Sequence, residues 1–296
     1  MGGLLRLSQD LEALVLQRPA PLVRCARISR HGATRETRDT FRLDFADGVT
    51  LKGRVLGSPA AATRVESVVR RLDPQRFPRV VARRGAAVVE EWIPGETLDV
   101  QPAREDHLRW AAETLGGIHR LPPPVRRPPF WMRARQALLA YHLLRLADAG
   151  ALPRRDALRL RDLAWAAAPK ETEYGLIHRD VCPENIVIDP KGRLYCVDNA
   201  AARGGAPDED LARTCYRWPL DARSSEIFLT AYSAFRDPTG FVRHRRFWMV
   251  AALSHASWIR HSRGYLRADV PLRRLIAELG EADAQVPCFA SRTTRS

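Results

Sequence analysis

The sequence predicts an α+β fold with two lobes: a small amino-terminal lobe with an antiparallel sheet and one main helix, and a larger, mostly helical carboxy-terminal lobe. Two observations predict it. Between about residues 23 and 91, short runs alternate apolar and polar residues, which is typical of strands. From about residue 104 onward, apolar residues recur at helical spacing. The chain has 296 residues, 45% of them hydrophobic, which is enough for two lobes that share a cleft.

The amino-terminal lobe, residues 1–93, is predicted from its cap and turn residues as well as from its periodicity. Ser8 is a suitable N-cap for the first helix, and Ala46-Asp47-Gly48 is a hairpin turn between two alternating strands. Pro94-Gly95 breaks the chain after the last strand, so the hinge between the lobes is predicted at 91–95. In chain order, the predicted elements are a helix at 8–18, strands at 23–28, 40–45 and 49–55, a helix at 60–73, and strands at 79–83 and 86–91.

The carboxy-terminal lobe, residues 94–285, is predicted as a series of helices with one β-hairpin among them. Its first helix runs from about residue 104 until Pro122-Pro123-Pro124 ends it. The polar residues 286–296 are predicted to form a disordered tail. Further helices are predicted at 131–148, 154–167, 208–218, 223–235, 243–262 and 270–280, and the hairpin strands at 186–188 and 194–197.

The formal net charge of +14 is compatible with a nucleic-acid or other anionic partner. Only Lys52, Lys170 and Lys191 are lysines, so 48 − 3 = 45 basic residues are arginine, a bias that we attribute mainly to genome base composition. No aromatic-basic motif accompanies the charge, so no nucleic-acid partner is expected. No apolar run reaches the roughly 18–20 residues of a membrane helix, and the first residues lack a secretory signal. These observations predict a cytoplasmic protein without a membrane span.

Three polar residues around the predicted hairpin have the chemistry that phosphoryl transfer needs, which is a base for a proton and oxygen ligands for Mg²⁺. Asp180 follows the apolar segment 175–177, and Asn185 lies immediately before the first hairpin strand. Asp198 ends the second strand, so strand pairing brings it close to Asn185. Carboxylate and amide oxygens at adjacent strand ends suit a magnesium ion. A plain β-hairpin with polar ends is the alternative.

The segment His178-Arg179-Asp180, with Asn185 five residues beyond the aspartate, resembles the catalytic loop of protein kinases and of the aminoglycoside phosphotransferase family. The resemblance extends over about residues 40–265 and implies a protein-kinase-like fold. It implies Asp180 as the catalytic base, Asn185 and Asp198 as the Mg²⁺ ligands, and ATP as the phosphoryl donor. His178 is then a structural residue of the loop.

Several segments favour the small-molecule branch over the protein kinases. Cys182 lies where protein kinases usually have a lysine, and Asn199-Ala200 follows Asp198 in place of Phe-Gly. Asp210 is expected to brace the catalytic loop, as the corresponding aspartate does in that family. The segments similar to the small-molecule phosphotransferases are Val89 to Leu98 at the hinge, Ala111 to Pro122 at the end of the first helix, and Asp208-Glu209-Asp210-Leu211-Ala212.

The same resemblance implies a cation for the nucleotide phosphates. Lys52 matches the strand lysine that contacts these phosphates, and Glu66, on the next helix, is its expected partner. A lysine retained in a chain so rich in arginine favours a functional role. Arg54 lies two residues on, on the same face of the strand, and is the competing cation.

The remaining nucleotide contacts are expected from the backbone. The Glu90 carbonyl and the Trp92 amide match the hinge groups that bind adenine in this family. The phosphate-covering loop is expected at 29–37, where Gly32 is the only glycine. Glycine-rich loops carry several, so this segment is the poorest match to the family pattern.

The sequence therefore predicts an ATP- and Mg²⁺-dependent phosphotransferase that phosphorylates a hydroxyl group of a small molecule. The acceptor is expected against the helical region, between about residues 130–170 and the last two helices. Frequent arginines in 130–170 favour a neutral or anionic compound over a polycationic aminoglycoside. One alternative is a protein serine/threonine kinase. Another is a catalytically weak, nucleotide-binding pseudokinase, which the poor glycine loop and Asn199-Ala200 favour.

Overall fold

The amino-terminal part of the chain is a five-stranded antiparallel sheet with two helices. A computed structural model describes residues 7–28, 39–100, 104–218, 220–263 and 269–280. The elements are α1 (Gln9–Leu16), β1 (Leu22–Arg27), β2 (Asp39–Phe45), β3 (Thr50–Val55), α2 (Pro59–Val69), β4 (Val80–Arg84) and β5 (Ala87–Glu91). The strand order is β1-β2-β3-β5-β4, so β3 and β5 occupy the centre of the sheet.

The two faces of this sheet are covered by different helices, because apolar residues alternate along its strands. On one face, Leu11 of α1 packs with Leu43 and other residues of β2, β3 and β5. On the opposite face, Val65 of α2 packs with Val88 of β5. The predicted cap of α1 is confirmed, since the Leu11 amide donates to Ser8 Oγ at 3.3 Å. Lys52, Arg54 and Glu90 alternate with Leu51 and Val89, which pack with α1, so these three polar residues lie on the α2 face of the sheet.

The carboxy-terminal part is mostly helical. Its elements are β6 (Glu96–Thr97), α3 (Glu105–His119), α4 (Trp131–Asp148), α5 (Arg154–Ala166), β7 (Gly175–Ile177), β8 (Ile186–Ile188), β9 (Leu194–Cys196), β10 (Arg203–Gly205), α6 (Pro207–Arg217), α7 (Ala222–Ser233), α8 (Thr239–Arg243), α9 (Arg245–Ser262) and α10 (Asp269–Gly280). The short strands form two small sheets, β6-β8-β9 and β10-β7. The predicted fold class is confirmed, and β6, β7 and β10 are additions that the sequence did not predict.

The segment after β5 passes close to the hairpin of β8 and β9. Gly95 has a φ of 136°, and a Cβ atom there would collide with the Ile188 carbonyl. Only glycine combines this backbone conformation with so close an approach. The predicted lobe boundary between residues 93 and 94 lies in this segment and stays a prediction. The predicted glycine loop with Gly32 and the predicted tail at 286–296 lie outside the described residues.

The helical core is centred on α9, which packs against α4, α5, α6 and α10. Trp248 and Phe247 of α9 are fully buried, and Leu139 and Leu143 of α4 belong to the same core cluster. Among the residues that the structure describes, no helix combines the length and the apolarity that a membrane crossing requires.

Two histidines form a buried contact between α4 and α9, with ring centroids 4.8 Å apart. Burial, together with the charge of Arg135, lowers the pKa of His142 to about 4. Burial and the charge of Arg213 lower the pKa of His255 to about 2. Both rings are therefore neutral in the folded protein at neutral pH.

This histidine pair predicts a loss of stability in mild acid. In the unfolded chain each histidine takes up a proton near pH 6.5, whereas the folded protein stays unprotonated at both sites down to about pH 4. The free energy of unfolding therefore falls as the pH falls below 6.5. In urea titrations from pH 6.5 to 4.5, His255→Asn is expected to flatten this dependence by about 1.4 kcal/mol per pH unit. Equal slopes in the variant and the parent would contradict the assignment.

Candidate active site

One buried carboxylate on α6 holds the loop that follows β7. Asp210 accepts hydrogen bonds from the backbone amides of His178 at 2.6 Å and Arg179 at 2.7 Å. Its Oδ2 lies 3.2 Å from His119 Nε2, and His119 Nδ1 lies 2.7 Å from the Tyr232 hydroxyl. Burial would raise the pKa of Asp210, but the hydrogen bond from His119 helps to hold it below its ordinary value. The prediction that Asp210 braces the loop at 178–180 is confirmed, and the catalytic role of that loop stays a prediction.

Strained backbone is found at both sides of the candidate site. Among the described residues, Arg179, Asp198 and Phe130 are the non-glycine residues with positive φ, and the values at Arg179 and Asp198 are 74° and 69°. Such conformations cost roughly 1–3 kcal/mol each and persist where surrounding contacts impose them. The Asp210 hydrogen bond to the Arg179 amide is one of these contacts. These left-handed conformations turn the backbone just before Asp180 and at Asp198.

The Asp180 carboxylate is held by two side chains and stays accessible. Its Oδ2 accepts from Asn185 Nδ2 at 2.8 Å, and its Oδ1 accepts from Arg217 Nη1 at 2.8 Å. The side chain keeps 27% of its exposure. Because the Asn185 amide nitrogen donates to Asp180, the amide oxygen of Asn185 is left as an acceptor for a cation.

Arg217 is a residue of the site that the sequence analysis missed. It lies in the last turn of α6, and its Nη2 is 3.2 Å from Cys182 Sγ and 3.3 Å from Glu184 Oε1. Arg217 therefore places a cation beside Asp180, which Cys182, at the position where protein kinases usually have a lysine, cannot do. The spacing between Asp210 and Arg217 could have revealed it from the sequence. Seven residues are about two helical turns, so Arg217 lies on the same face of α6 as Asp210.

The β8–β9 hairpin brings the two predicted metal ligands together. The Val197 amide donates to the Asn185 carbonyl at 2.7 Å, and Ile186 pairs with Cys196. Asp198 therefore follows directly on the residue that faces Asn185. An amide oxygen and a carboxylate, with further oxygens from nucleotide phosphates, are donors that fit Mg²⁺.

Arg54 makes the contact across the cleft. Its Nη2 lies 2.7 Å from Asp198 Oδ1, and its Nη1 lies 3.9 Å from Glu90 Oε2. Burial would lower the pKa of Arg54, but the charges of Asp198 and Glu90 raise it above its ordinary value. Lys52 Nζ, on the same face of β3, lies 3.8 Å from the same Glu90 oxygen. Glu90 is thus the carboxylate between the two cations of β3.

The expected pairing of Lys52 with Glu66 is wrong. Glu66 accepts from Arg70 Nη2 at 2.8 Å and from Arg83 Nε at 2.6 Å. The orientation of α2 directs Glu66 toward β4, which carries Arg83. In the sheet, the residue directly opposite Lys52 is Glu90, and directly paired residues of neighbouring strands are those whose side chains meet.

The two predicted adenine contacts lie at the end of β5. Glu90 is inside β5, which pairs with β3 on one side and β4 on the other. Trp92 is the first residue after that strand, and the Arg42 guanidinium lies 5.2 Å from the centroid of its ring. Their roles in binding adenine stay predictions.

The chain matches the family model described as the phosphotransferase enzyme family, APH, over residues 37–246. The protein belongs to this family. The match contains the catalytic loop, the β8–β9 hairpin and Asp210, so the enzyme class is that of a phosphotransferase. No curated protein is significantly similar to this phosphotransferase in sequence.

Solved structures share the fold of this phosphotransferase at low sequence identity. The macrolide 2'-phosphotransferase MphH from Brachybacterium faecium is 15% identical, with a TM-score of 0.60 over 91% of this chain and 97% of its own. A putative fructosamine-3-kinase from Thermobifida fusca is 17% identical, with a TM-score of 0.64 over 94% and 99%. The spectinomycin phosphotransferase APH(9)-Ia, in complex with ADP and spectinomycin, is 12% identical, with a TM-score of 0.58 over 92% of each chain.

Proposed function

We propose that this phosphotransferase transfers the γ-phosphoryl group of ATP to a hydroxyl group of a small molecule, with Mg²⁺ as cofactor and Asp180 as the general base. The single observation that carries the proposal is the Asp180 carboxylate, held by Asn185 and Arg217 and still partly exposed beside the hairpin that carries Asp198. ATP and Mg²⁺ are abundant in the cytoplasm, which is the compartment that we propose.

In the proposed reaction, Asp180 accepts the proton of the acceptor hydroxyl while the oxygen of that hydroxyl bonds to the γ-phosphorus. The bond from that phosphorus to the bridging oxygen breaks, and ADP leaves with the electron pair. Asn185 and Asp198 would hold Mg²⁺, which supplies neutralising charge on the phosphates. Arg217 and Asn185 keep the Asp180 carboxylate oriented, so positioning as well as basicity contributes to the rate.

We divide the work of the two β3 cations between positioning and nucleotide binding. Arg54 is only 4% exposed and already contacts Asp198, so we assign it the role of holding that carboxylate in place. The Lys52 side chain is 15% exposed, so we assign it the nucleotide phosphates. The Glu90 carbonyl and the Trp92 amide are proposed for adenine, and Gly32 is proposed for the phosphate-covering loop.

A small-molecule acceptor is favoured over a protein. The similar structures include a macrolide phosphotransferase and a spectinomycin phosphotransferase, whose names give small molecules as acceptors. In this chain, the position where protein kinases usually have a lysine is occupied by Cys182, which is fully buried. Neither observation favours the protein serine/threonine kinase.

The proposal predicts acceptor-dependent release of ADP. The purified protein with MgATP is to be screened against hydroxyl compounds that include sugars, sugar acids, sugar phosphates, amino alcohols and cationic antibiotics. The expected result is Mg²⁺-dependent ADP formation with at least one compound, together with a mass increase of that compound by one phosphoryl group. Transfer of radiolabel from ATP to protein substrates, with none to small molecules, would instead support the protein kinase.

A further inference from the structure

Several arginines, one of them in the catalytic loop, converge on one buried carboxylate. The carboxylate is Glu209 of α6, which is only 2% exposed. Its Oε1 lies 2.6 Å from Arg135 Nη2 of α4. The group, called here the arginine cluster, consists of Arg135, Arg179 of the catalytic loop, Arg203 of β10 and Arg213 of α6, and all four act on the Glu209 charge.

The arginine cluster carries more positive charge than the neighbouring described carboxylates neutralise. Besides Glu209, Asp180 and Asp210 act on Arg213. Asp180 is also paired with Arg217. Arg217 also pairs with Glu184 at 3.3 Å. Counting Arg217 with the cluster, and Glu184 with these three carboxylates, leaves a surplus of 5 − 4 = 1 positive charge. A surplus of charge in a largely buried site is costly unless an anion joins it.

Donors in the cluster are buried without partners. Arg135 Nε, Arg179 Nε and Arg213 Nη1 are inaccessible to solvent and have no hydrogen-bond partner among the described residues. Buried donors without acceptors are rare in folded proteins. The cluster holds three of them against one unpartnered acceptor oxygen, Glu209 Oε2, and this excess of donors indicates a group that is still to bind.

The ionisation of the cluster reflects the same excess of positive charge. Burial lowers the pKa of Arg179 to about 9, and the charge of Arg213 acts in the same direction. Burial would raise the pKa of the Glu209 carboxyl, but the surrounding arginines, Arg135 foremost, lower it to about 2. The site therefore favours negative charge strongly, and an added oxyanion would relieve the repulsion among its arginines.

We propose that the arginine cluster binds an anionic group of the acceptor, a phosphate or a carboxylate, so that the substrate is an anionic hydroxyl compound. The proposal deepens the proposed function and rests on it. Arg213 Nε donates to the Arg179 carbonyl at 2.9 Å, and Asp180 is the next residue. An acceptor anchored by the cluster thus has its hydroxyl beside the proposed base. Planar guanidinium groups match the paired oxygens of phosphate and carboxylate.

Binding of inorganic phosphate, measured by titration calorimetry on the full chain, tests the site without any turnover. Arg135→Met is expected to weaken phosphate binding about tenfold, because one charge-assisted hydrogen bond is lost. Arg133→Met is the matched control, since Arg133 is an exposed arginine on the same helix, and it should bind phosphate as the parent does. Glu209→Gln is expected to tighten binding, because it removes the negative charge of the carboxylate on which the four arginines act. Absent binding, or equal binding by the parent and Arg135→Met, would overturn the proposal.

Kinetics distinguish the acceptor from the nucleotide as the source of the anion. Sugar phosphates and sugar acids are compared with the matched uncharged sugars, and the two anionic sets separate a phosphate from a carboxylate. The expected result is a lower KM for one anionic set, which Arg135→Met raises about tenfold while the KM for ATP stays unchanged. A rise in the KM for ATP alone, or a preference for uncharged sugars, would overturn the assignment to the acceptor. If no compound is phosphorylated, the proposed function fails, whereas the calorimetric result still decides whether the cluster binds an anion.

Discussion

Replacement of Asp180 by asparagine is expected to lower kcat about 10³-fold, the usual contribution of a general base. Asparagine keeps the shape of the side chain but cannot accept the hydroxyl proton. The backbone amides of His178 and Arg179 hold the loop by donating to Asp210, and these hydrogen bonds do not involve Asp180, so the fold should persist. The measurement is steady-state ADP release with a saturating acceptor. The ATP affinities of the parent and of Asp180→Asn are measured as well. They should differ by less than about twofold, because Asp180 acts on the acceptor.

The matched control is Asp162→Asn, which removes a carboxylate from an exposed position on α5. The Asp162 side chain is 64% exposed and pairs with its neighbour Arg161, so its loss should leave kcat unchanged. If Asp180→Asn turned over ATP at the rate of the parent, Asp180 would not be the base. The nucleotide-binding pseudokinase would then be the better description of this chain.

The regular elements could be predicted from the sequence because each is specified locally. The β2–β3 hairpin follows from alternating apolar residues around Ala46-Asp47-Gly48, and α3 ends close to Pro122-Pro123-Pro124 as its periodicity indicated. The short strands β7 and β10 were missed because three residues are too few to show a period. In the fold the two strands pair with each other, and Ile177 lies opposite Arg203.

The parts of the site that lie within one loop or hairpin were also predictable. Asp180, Asn185 and Asp198 are brought together by a single hairpin, so their spacing in the sequence is enough to place them. The partner of Lys52 was not predictable in this way, because it depends on the rotation of α2 about its own axis and on the register of β3 with β5. That register places Glu90 opposite Lys52, and the helix turns Glu66 toward Arg83.

The arginine cluster could not be located from sequence for a related reason. Its members come from α4, the catalytic loop, β10 and α6, and no sequence spacing links these segments. The chain has 45 arginines among its 48 basic residues, and nothing in the sequence distinguishes the four arginines of the cluster from the rest. Only the fold shows that these four share one buried carboxylate, Glu209.

Arg54→Met is expected to lower the free energy of unfolding by about 3 kcal/mol, whereas Lys52→Met should cost at most about 1 kcal/mol. The two residues lie on the same face of β3, and both approach Glu90 Oε2. Arg54 bridges Glu90 to Asp198, and once it is removed the cation recorded beside the fully buried Glu90 carboxylate, among the described residues, is Lys52 at 3.8 Å. Urea unfolding of the three proteins at neutral pH measures the difference.

A double-mutant cycle with Glu90→Gln tests the cause. If the cost of Arg54→Met comes from an uncompensated buried charge, the same change in the Glu90→Gln background should cost at least about 1 kcal/mol less, because the buried carboxylate is gone. Asp198 also loses Arg54, but its side chain is 37% exposed and can be hydrated. The effects of the two substitutions on ATP affinity should have the opposite order to their effects on stability. Lys52→Met is expected to weaken ATP binding about tenfold. Arg54→Met should weaken it less, because Arg54 holds Asp198 rather than the phosphates. Greater loss of stability in Lys52→Met, combined with greater loss of ATP affinity in Arg54→Met, would exchange the two assignments. Arg54 would then be the nucleotide cation in a chain where arginine is the default basic residue.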